Sequence, residues 1–289
     1  MSVNVVYHPA APPLRRLIPA YVKTTLAGDA EPLSELLPPQ WATIRWAAQG
    51  RWRTRVGSAV VEAEAGSSPI VFGPMSRAYR VEIEPPAAGW VLGLQPLGWA
   101  WLFSIPAAAL ADRAGPLESM LESATAARIF DALLAPTDES RIAALNAVFL
   151  DRLARRRSPE GSLPHAHEAL ADPVVGTTDA FARRLGLSAR QAARLSSDAF
   201  GFPPKLLLRR QRFLRTLLAM KSHDDQPWAN LLDPAYCDQP HFVRDFRYFM
   251  GCSPSAYFAE PRRLLRASVE ARAAALGAPM QGLHPVAVA

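Results

Sequence analysis

The sequence predicts an α+β protein of two domains, strand-rich with trailing helices at the N-terminal end and all-helical at the C-terminal end. Three observations predict it. Between Trp41 and Leu94, short apolar runs alternate with Gly- and Pro-containing breaks. From Leu163 onward, apolar residues recur at helical spacing. Within that helical part, a turn followed by a capped helix occurs twice. A chain of 289 residues is long enough for two cores. The expected division is 1–157, a polar Pro- and Gly-containing linker at 158–162, a helical domain at 163–266, and an Ala-rich tail at 267–289 whose composition suits disorder.

Residues 1–40 are Pro-rich and weakly patterned, with one short helix expected at Pro19–Leu26. Strands are expected at Trp41–Ala48, Trp52–Val56, Ala59–Ala63, Ile70–Phe72, Tyr79–Ile83 and Trp90–Leu94, separated by breaks such as Gln49-Gly50, Gly73-Pro74 and Pro85-Pro86. Residues 85–111 carry no charge and are long enough to cross a bilayer. Pro96, Pro106, Gly89, Gly93 and Gly98 would break such a helix repeatedly, so buried strands joined by turns, and no membrane span, are expected.

Two helices follow. Pro116–Leu134 starts with a proline and stops before Pro136. Asp138–Arg157 begins with acids and ends with Arg155, Arg156 and Arg157, matching the helix dipole. Ile142, Leu145, Phe149 and Leu153 share one side of it. That stripe packs on its own domain or forms a dimer seam; we assign the seam, and with it a homodimer.

Positive charge is concentrated. The whole chain has a formal net charge of +6, yet between Phe181 and Arg215 nine Arg or Lys face one acid, Asp198. A local patch of this kind argues for a polyanion more strongly than the total does. The two cysteines, Cys237 and Cys252, lack disulfide-framework and zinc spacing. A reducing cytoplasm is expected, and the N-terminus lacks the pattern of a secretion signal.

In the first turn-and-helix unit, Thr178–Leu185 is a short helix ended by Gly186, a residue that takes the left-handed conformation cheaply. Ser188 caps the next helix, and Gln191 completes a capping box. Ala192, Leu195, Ser196 and Ala199 then lie on one face and Arg190, Arg194 and Ser197 on the other. Two guanidinium groups one turn apart suit a major groove, where Arg pairs bidentately with guanine. A long helix begins at Pro203-Pro204, with Leu207, Phe213, Leu214, Leu217 and Leu218 for the core. Lys205, Arg209, Arg210 and Arg212 are expected at phosphates. In the second unit a short helix at Trp228–Leu232 precedes Asp238, which caps a helix with Phe242, Phe246 and Phe249 inward and Arg244 and Arg247 outward.

The order unit, basic helix, unit and then "GCSPSAY" resembles the DNA-binding domain of AraC/XylS-type transcription regulators over about Leu163 to Pro261. "DQPHFVRDFRYFMGCSPSAY" is very similar to that family's C-terminal signature. The resemblance implies two helix–turn–helix modules entering successive major grooves of double-stranded DNA. By position it makes Arg190, Ala193 and Arg194 base-facing in the first module, and Gln239, Pro240, His241 and Arg244 in the second. Ser188 and Arg247 join the four cations above as phosphate contacts. The second turn departs from the pattern, with Ala235 where Gly is usual, and Pro240 offers no reading side chain. The first unit is therefore expected to carry most of the discrimination. RNA polymerase is a further implied partner.

The resemblance also implies that the N-terminal half is a cupin-like sensor. Only His8 precedes residue 160, so no metal and no other cofactor is expected. Trp41, Trp46, Phe72, Tyr79, Trp90, Trp99 and Trp101, with Trp52, are either core or the lining of a pocket for a small apolar effector; we name them as the candidate pocket. No nucleophile elbow, phosphate loop or metal-spaced His pair occurs, so no enzyme is expected. The alternative function is a protein-interaction module whose helices contact another protein instead of DNA.

Overall fold

The computed structural model describes residues 2–28, 31–156, 159, 161–222 and 231–280. Its N-terminal half is built on β1 (Ser2–Pro9), β2 (Ala20–Ala27), β3 (Leu33–Leu37), β4 (Thr43–Val56), β5 (Ala59–Glu64), β6 (Ile70–Phe72), β7 (Tyr79–Gly93) and β8 (Ala114–Pro116). They form one antiparallel sheet in the order β1-β2-β7-β4-β6-β8, with β3 also paired to β7 and β5 to β4.

The expected short strands are thus partly fused. Trp41–Ala48 and Trp52–Val56 are parts of β4, which runs through Gly50, while Tyr79–Ile83 and Trp90–Leu94 are joined in β7 across Pro85-Pro86. The pairing tolerates both interruptions because β4 bulges between Ala47 and Arg51. At the first irregularity two steps along β4 match one along β7, since Ala47 pairs with Gly89 and Gln49 with Ala88. One extra residue exchanges the faces of a strand. Thr43, Arg45 and Ala47 therefore point to the same side as Trp52 and Thr54.

The helix expected at Pro19–Leu26 is β2. Val22, Thr24 and Thr25 are β-branched and suit a pleated surface, and the segment has a partner on each side, β1 and β7. Within 85–111, buried strands were expected after Pro96; instead Pro96 opens α1 (Pro96–Leu102). Among the described residues no helix is long and apolar enough to cross a membrane. Pro116 ends β8, and the helix expected from it begins later as α2 (Ser123–Leu133). α3 (Asp138–Arg155) is capped by Thr137, whose side chain accepts from Ser140 N, a cap that sequence reasoning missed.

The remaining helices are α4 (Ser162–Ala171), α5 (Thr178–Arg184), α6 (Ala189–Phe200), α7 (Pro204–Ser222), α8 (Gln239–Met250), α9 (Pro254–Ala259) and α10 (Arg263–Leu276). The last corrects the expectation of a disordered tail from residue 267. Ala and Leu favour the helix, Gly277 ends it at φ +66°, and its apolar face has a sheet to cover. Residues 281–289 of that tail, and 228–230 of the helix expected at Trp228–Leu232, lie outside the described residues.

A single apolar cluster runs from Leu14 and Trp41 through Trp99, Phe149 and Leu170 to Phe200 and Leu207. The strand-rich and helical halves therefore share core. Leu145 and Phe149 are fully buried in that cluster, and Ile142 and Leu153 are half-buried against it. The stripe assigned to a dimer seam is accordingly the face that fastens α3 to its own sheet and to α2.

Candidate nucleic-acid interface

The first helix–turn–helix unit is shaped by local chemistry. Thr177 caps α5, accepting from Ala180 N at 3.1 Å. Gly186 ends it at φ +64°, with Leu187 N donating to Ala182 O at 3.0 Å and Gly186 N to Arg183 O at 3.1 Å. This paired arrangement satisfies carbonyls that the helix end would otherwise orphan. Ser188 and Gln191 form the expected capping box, 3.3 Å from Gln191 N to Ser188 Oγ and 2.9 Å from Ser188 N to Gln191 Oε1. Ala192, Ser196, Ala199 and Phe200 are buried, whereas Arg190 and Arg194 are exposed and Ala193 is half-buried.

The second unit uses different means to turn. Asp233 Oδ1 accepts from Ala235 N at 2.9 Å, and Tyr236 N donates to Asp233 O at 2.9 Å. Among the described residues only Asp112 has a positive φ without being glycine, so Ala235 makes the corner without the left-handed conformation that glycine would serve. Asp238 caps α8, accepting from His241 N at 2.7 Å. Phe242, Phe246 and Phe249 are fully buried around Phe213 of α7. Gln239, Pro240, Arg244 and Arg247 are placed on the outer side, with Gln239, Pro240 and Arg244 exposed and Arg247 at the last turn. His241 is half-buried, 3.1 Å from Arg212 Nη2 and edge-on to Tyr236, so its ring belongs to the module's interior side.

Three expected phosphate contacts are corrected. Arg210 is fully buried: Nη1 donates to Met75 O at 3.1 Å, and the guanidinium lies 3.7 Å from the centroid of the Trp41 ring. Burial lowers its pKa to about 9. Arg209 and Arg212 clamp the buried Asp245, at 2.6 Å from Arg209 Nε to Oδ1 and 2.9 Å from Arg212 Nη2 to Oδ2. Tyr236 Oη adds a third bond to Asp245 at 3.0 Å. Sequence reasoning missed Asp245, whose only signal was an acid on the inward stripe of α8. Arg215 is likewise paired, to Asp233 at 2.6 Å. Charge alone could not separate these structural arginines from exposed ones.

What remains outside is a smaller set. Arg190, Arg194, Lys205, Arg244 and Arg247 form no ion pair among the described residues, and all five reach solvent. Arg194 and Arg244 occupy the same helical position, each six residues after its cap, Ser188 or Asp238. Ser188 lies at the helix start, with its hydroxyl engaged in the capping box.

A family model for a helix-turn-helix domain matches residues 181–260. The matched stretch lies in the C-terminal half, over both turn-and-helix units. The match runs from within α5 to the end of α9 and stops short of α10. No curated protein matches the chain. Among solved structures, ToxT from Vibrio cholerae is similar at 10% identity, covering 90% of this chain and 98% of that one with a TM-score of 0.46. A second crystal structure of ToxT is similar at 11% identity, 89% and 96% coverage and a TM-score of 0.44. The AraC-like transcriptional activator CuxR is similar at 16% identity, 68% and 75% coverage and a TM-score of 0.29.

The helix-turn-helix domain is firmly docked on the sheet half. Trp41 meets Phe200 edge-on at 5.4 Å and His167 at 5.7 Å. Ala78 N donates to Phe249 O at 2.6 Å, and Arg80 pairs with Glu260 at 3.4 Å. Gly201 at the end of α6 has φ +84°, and a Cβ there would stand 2.5 Å from Pro74 Cγ. Glycine is required at that contact both for its backbone and for space.

The aromatic set expected to line an effector pocket is divided by the structure. A cavity of about 200 Å³ is bordered by Trp46, Trp52, Phe72, Tyr79 and Trp90. Trp41, Trp99 and Trp101 do not border it. Trp41 lies at the junction between the halves; Trp99 and Trp101 are buried in α1, donating to Ile105 O and Arg156 O at 2.9 Å each. α1 is buried nearly all round, so Trp99 and Trp101, two residues apart, both enter core, where their N–H groups find carbonyls. Among the described residues no group of three or more His, Cys, Asp or Glu is placed to hold a metal.

Proposed function

We propose that the chain is a transcription regulator that binds double-stranded DNA through α6 and α8, under the control of its cupin-like sheet half. The observation that carries this reading is the pair of capped helices whose outward arginines, Arg190 and Arg194 on one and Arg244 on the other, have no acidic partner among the described residues. Arg209, Arg210, Arg212 and Arg215 of the basic run are engaged in internal contacts, so the outward arginines are left for an external anion. Arg190 and Arg194 read bases from the major groove, and Lys205 and Arg247 fix register on phosphates. Arg244 reads a base in the second module, but Pro240 and the held His241 add little, so α6 supplies most of the discrimination. The protein acts in the cytoplasm, with RNA polymerase as its further partner.

The test is an electrophoretic mobility shift with genomic fragments at two salt concentrations. A specific fragment retarded well ahead of random DNA, with affinity falling steeply as salt rises, is the expected result. No retardation at either salt concentration would transfer the exposed arginines to a protein partner.

A further inference from the structure

The wall of the cavity opposite the sheet is α10. Leu264, Leu265, Ser268, Val269, Arg272 and Leu276 recur at helical spacing and all border it. The helix is tied to the sheet at its start and in its middle, and closed on itself at its end. At its start the buried Glu35 of β3 accepts from Leu264 N at 2.9 Å and Leu265 N at 2.7 Å, a carboxylate against a helix N-terminus. In its middle Ser268 Oγ and Tyr7 Oη of β1 are 2.9 Å apart. At its end Arg272 Nη1 donates to Ala278 O. The chamber therefore has one wall from the sheet and one from the helix that follows the helix-turn-helix domain.

The chemistry of this chamber is lopsided. Among the described residues its lining is mainly aromatic and aliphatic, and the only ionisable groups besides Tyr7 and Tyr79 are two arginines, Arg45 and Arg272. No carboxylate lines it, and neither arginine forms an ion pair among the described residues. Arg45 lies over Phe72 and Tyr79, 4.1 and 4.9 Å from their ring centroids. Arg272 is 4% exposed, and its Nη2 is buried with no hydrogen-bond partner among the described residues. A buried guanidinium N–H without an acceptor is costly. Both cations line the one cavity, each beside a tyrosine: burial raises the pKa values of Tyr7 and Tyr79, and the charges of Arg272 and Arg45 respectively oppose that rise.

We propose that this cavity is the binding site of a small apolar carboxylate, with its charged end on Arg272 and Arg45 and its body against Trp46, Trp52 and Trp90. The size suits a compact ligand: a dry cavity of about 150 Å³ holds benzene, and this one is about 200 Å³. A guanidinium fork matches a carboxylate bidentately, which sets the anion class. Because Arg272 stands on α10, the ligand joins the two walls. Resting on the proposed function, occupancy then fixes α10, and through α9 the second helix-turn-helix unit, relative to the sheet.

The experiment uses the full chain, octanoate and its neutral analogue octanamide, followed by calorimetry and by the fluorescence of the lining tryptophans. Octanoate is expected to bind saturably and at least tenfold more tightly than octanamide. Arg45→Gln and Arg272→Gln should each reduce that preference several-fold, Arg272→Lys should retain part of it, and Val269→Trp, which fills the chamber, should abolish binding of both probes. Equal affinity for acid and amide, octanoate binding that survives Val269→Trp, or a preference unchanged in Arg45→Gln would overturn the proposal. Circular dichroism of each variant shows whether it folds, and Arg45→Gln leaves the anchor from Arg272 to Ala278 intact. A chain that binds octanoate in this way but retards no DNA overturns the regulator reading and leaves the site standing. A chain that retards DNA and does not bind octanoate overturns the site alone.

Discussion

Arg210 of α7 lies over Trp41, its guanidinium carbon 3.7 Å from the ring centroid, and its Nη1 donates to Met75 O. A residue in the middle of the basic run thus serves as a bolt between the two halves of the molecule. The remaining cations divide by the same test of where the side chain ends. Removing an exposed one and removing a buried one should give different phenotypes.

Arg194→Ala is expected to cost about 1–3 kcal/mol on a specific DNA fragment and little on random sequence. Lys205→Ala and Arg247→Ala should each weaken both kinds of DNA and reduce the slope of log affinity against log salt by about 1. Arg210→Met should leave that slope unchanged while lowering the thermal midpoint. Mobility shifts at several salt concentrations, beside thermal melts, separate the three behaviours.

Asp245→Ala should destabilise the second unit without touching any exposed cation. It removes the acceptor of Arg209, Arg212 and Tyr236 at once. The loss is expected near 3 kcal/mol, roughly the low end for a broken buried pair, because Arg209 is partly solvated. Urea denaturation gives the figure, and hydrogen exchange confined to α7 and α8 gives the location.

His167 makes the junction acid-sensitive. Burial, with Arg210 and Arg272 adding repulsion, lowers its pKa from 6.5 to about 3. The folded chain keeps the imidazole neutral, whereas the unfolded chain takes up a proton near pH 6.5. Stability therefore falls as pH drops from 6.5 toward 3, at up to about 1.4 kcal/mol per unit, or roughly 2 kcal/mol by pH 5. His167→Leu should flatten that slope in denaturation curves measured at neutral and acidic pH.

Glu35→Gln should loosen α10. The carboxylate holds two N–H groups of the first turn and opposes the helix dipole, worth about 1–2 kcal/mol in a partly buried setting. Faster amide exchange along 264–276, with the sheet unaffected, is the expected signature.

Much of this architecture could be read from short-range chemistry. Ser188, Gln191, Gly186 and Asp238 announce their helix ends because a cap and its partner lie within four residues. Leu207, Phe213, Leu214 and Leu217 announce an inner stripe. The failures have a common cause in distance along the chain. α7 is covered on more than one side, so Arg210, Gln211 and Thr216 are buried together with the leucines and its outer face cannot be deduced from periodicity. Glu35 meets a helix more than two hundred residues away. β2 was misread because pairing with β1 and β7 outweighs a weak local pattern. The stripe of α3 carried no sign of which partner would cover it.

The roof helix α10 has a practical implication for engineering. It lies beyond residue 260, where the matched helix-turn-helix domain ends, and yet it encloses the chamber of the other half. A chimera spliced at the 158–162 connection would take a donor's roof along with its DNA reader and set it over an unrelated floor. Swapping the segment 178–260 alone, and keeping the resident 261–280, preserves the enclosure with the sheet that shaped it.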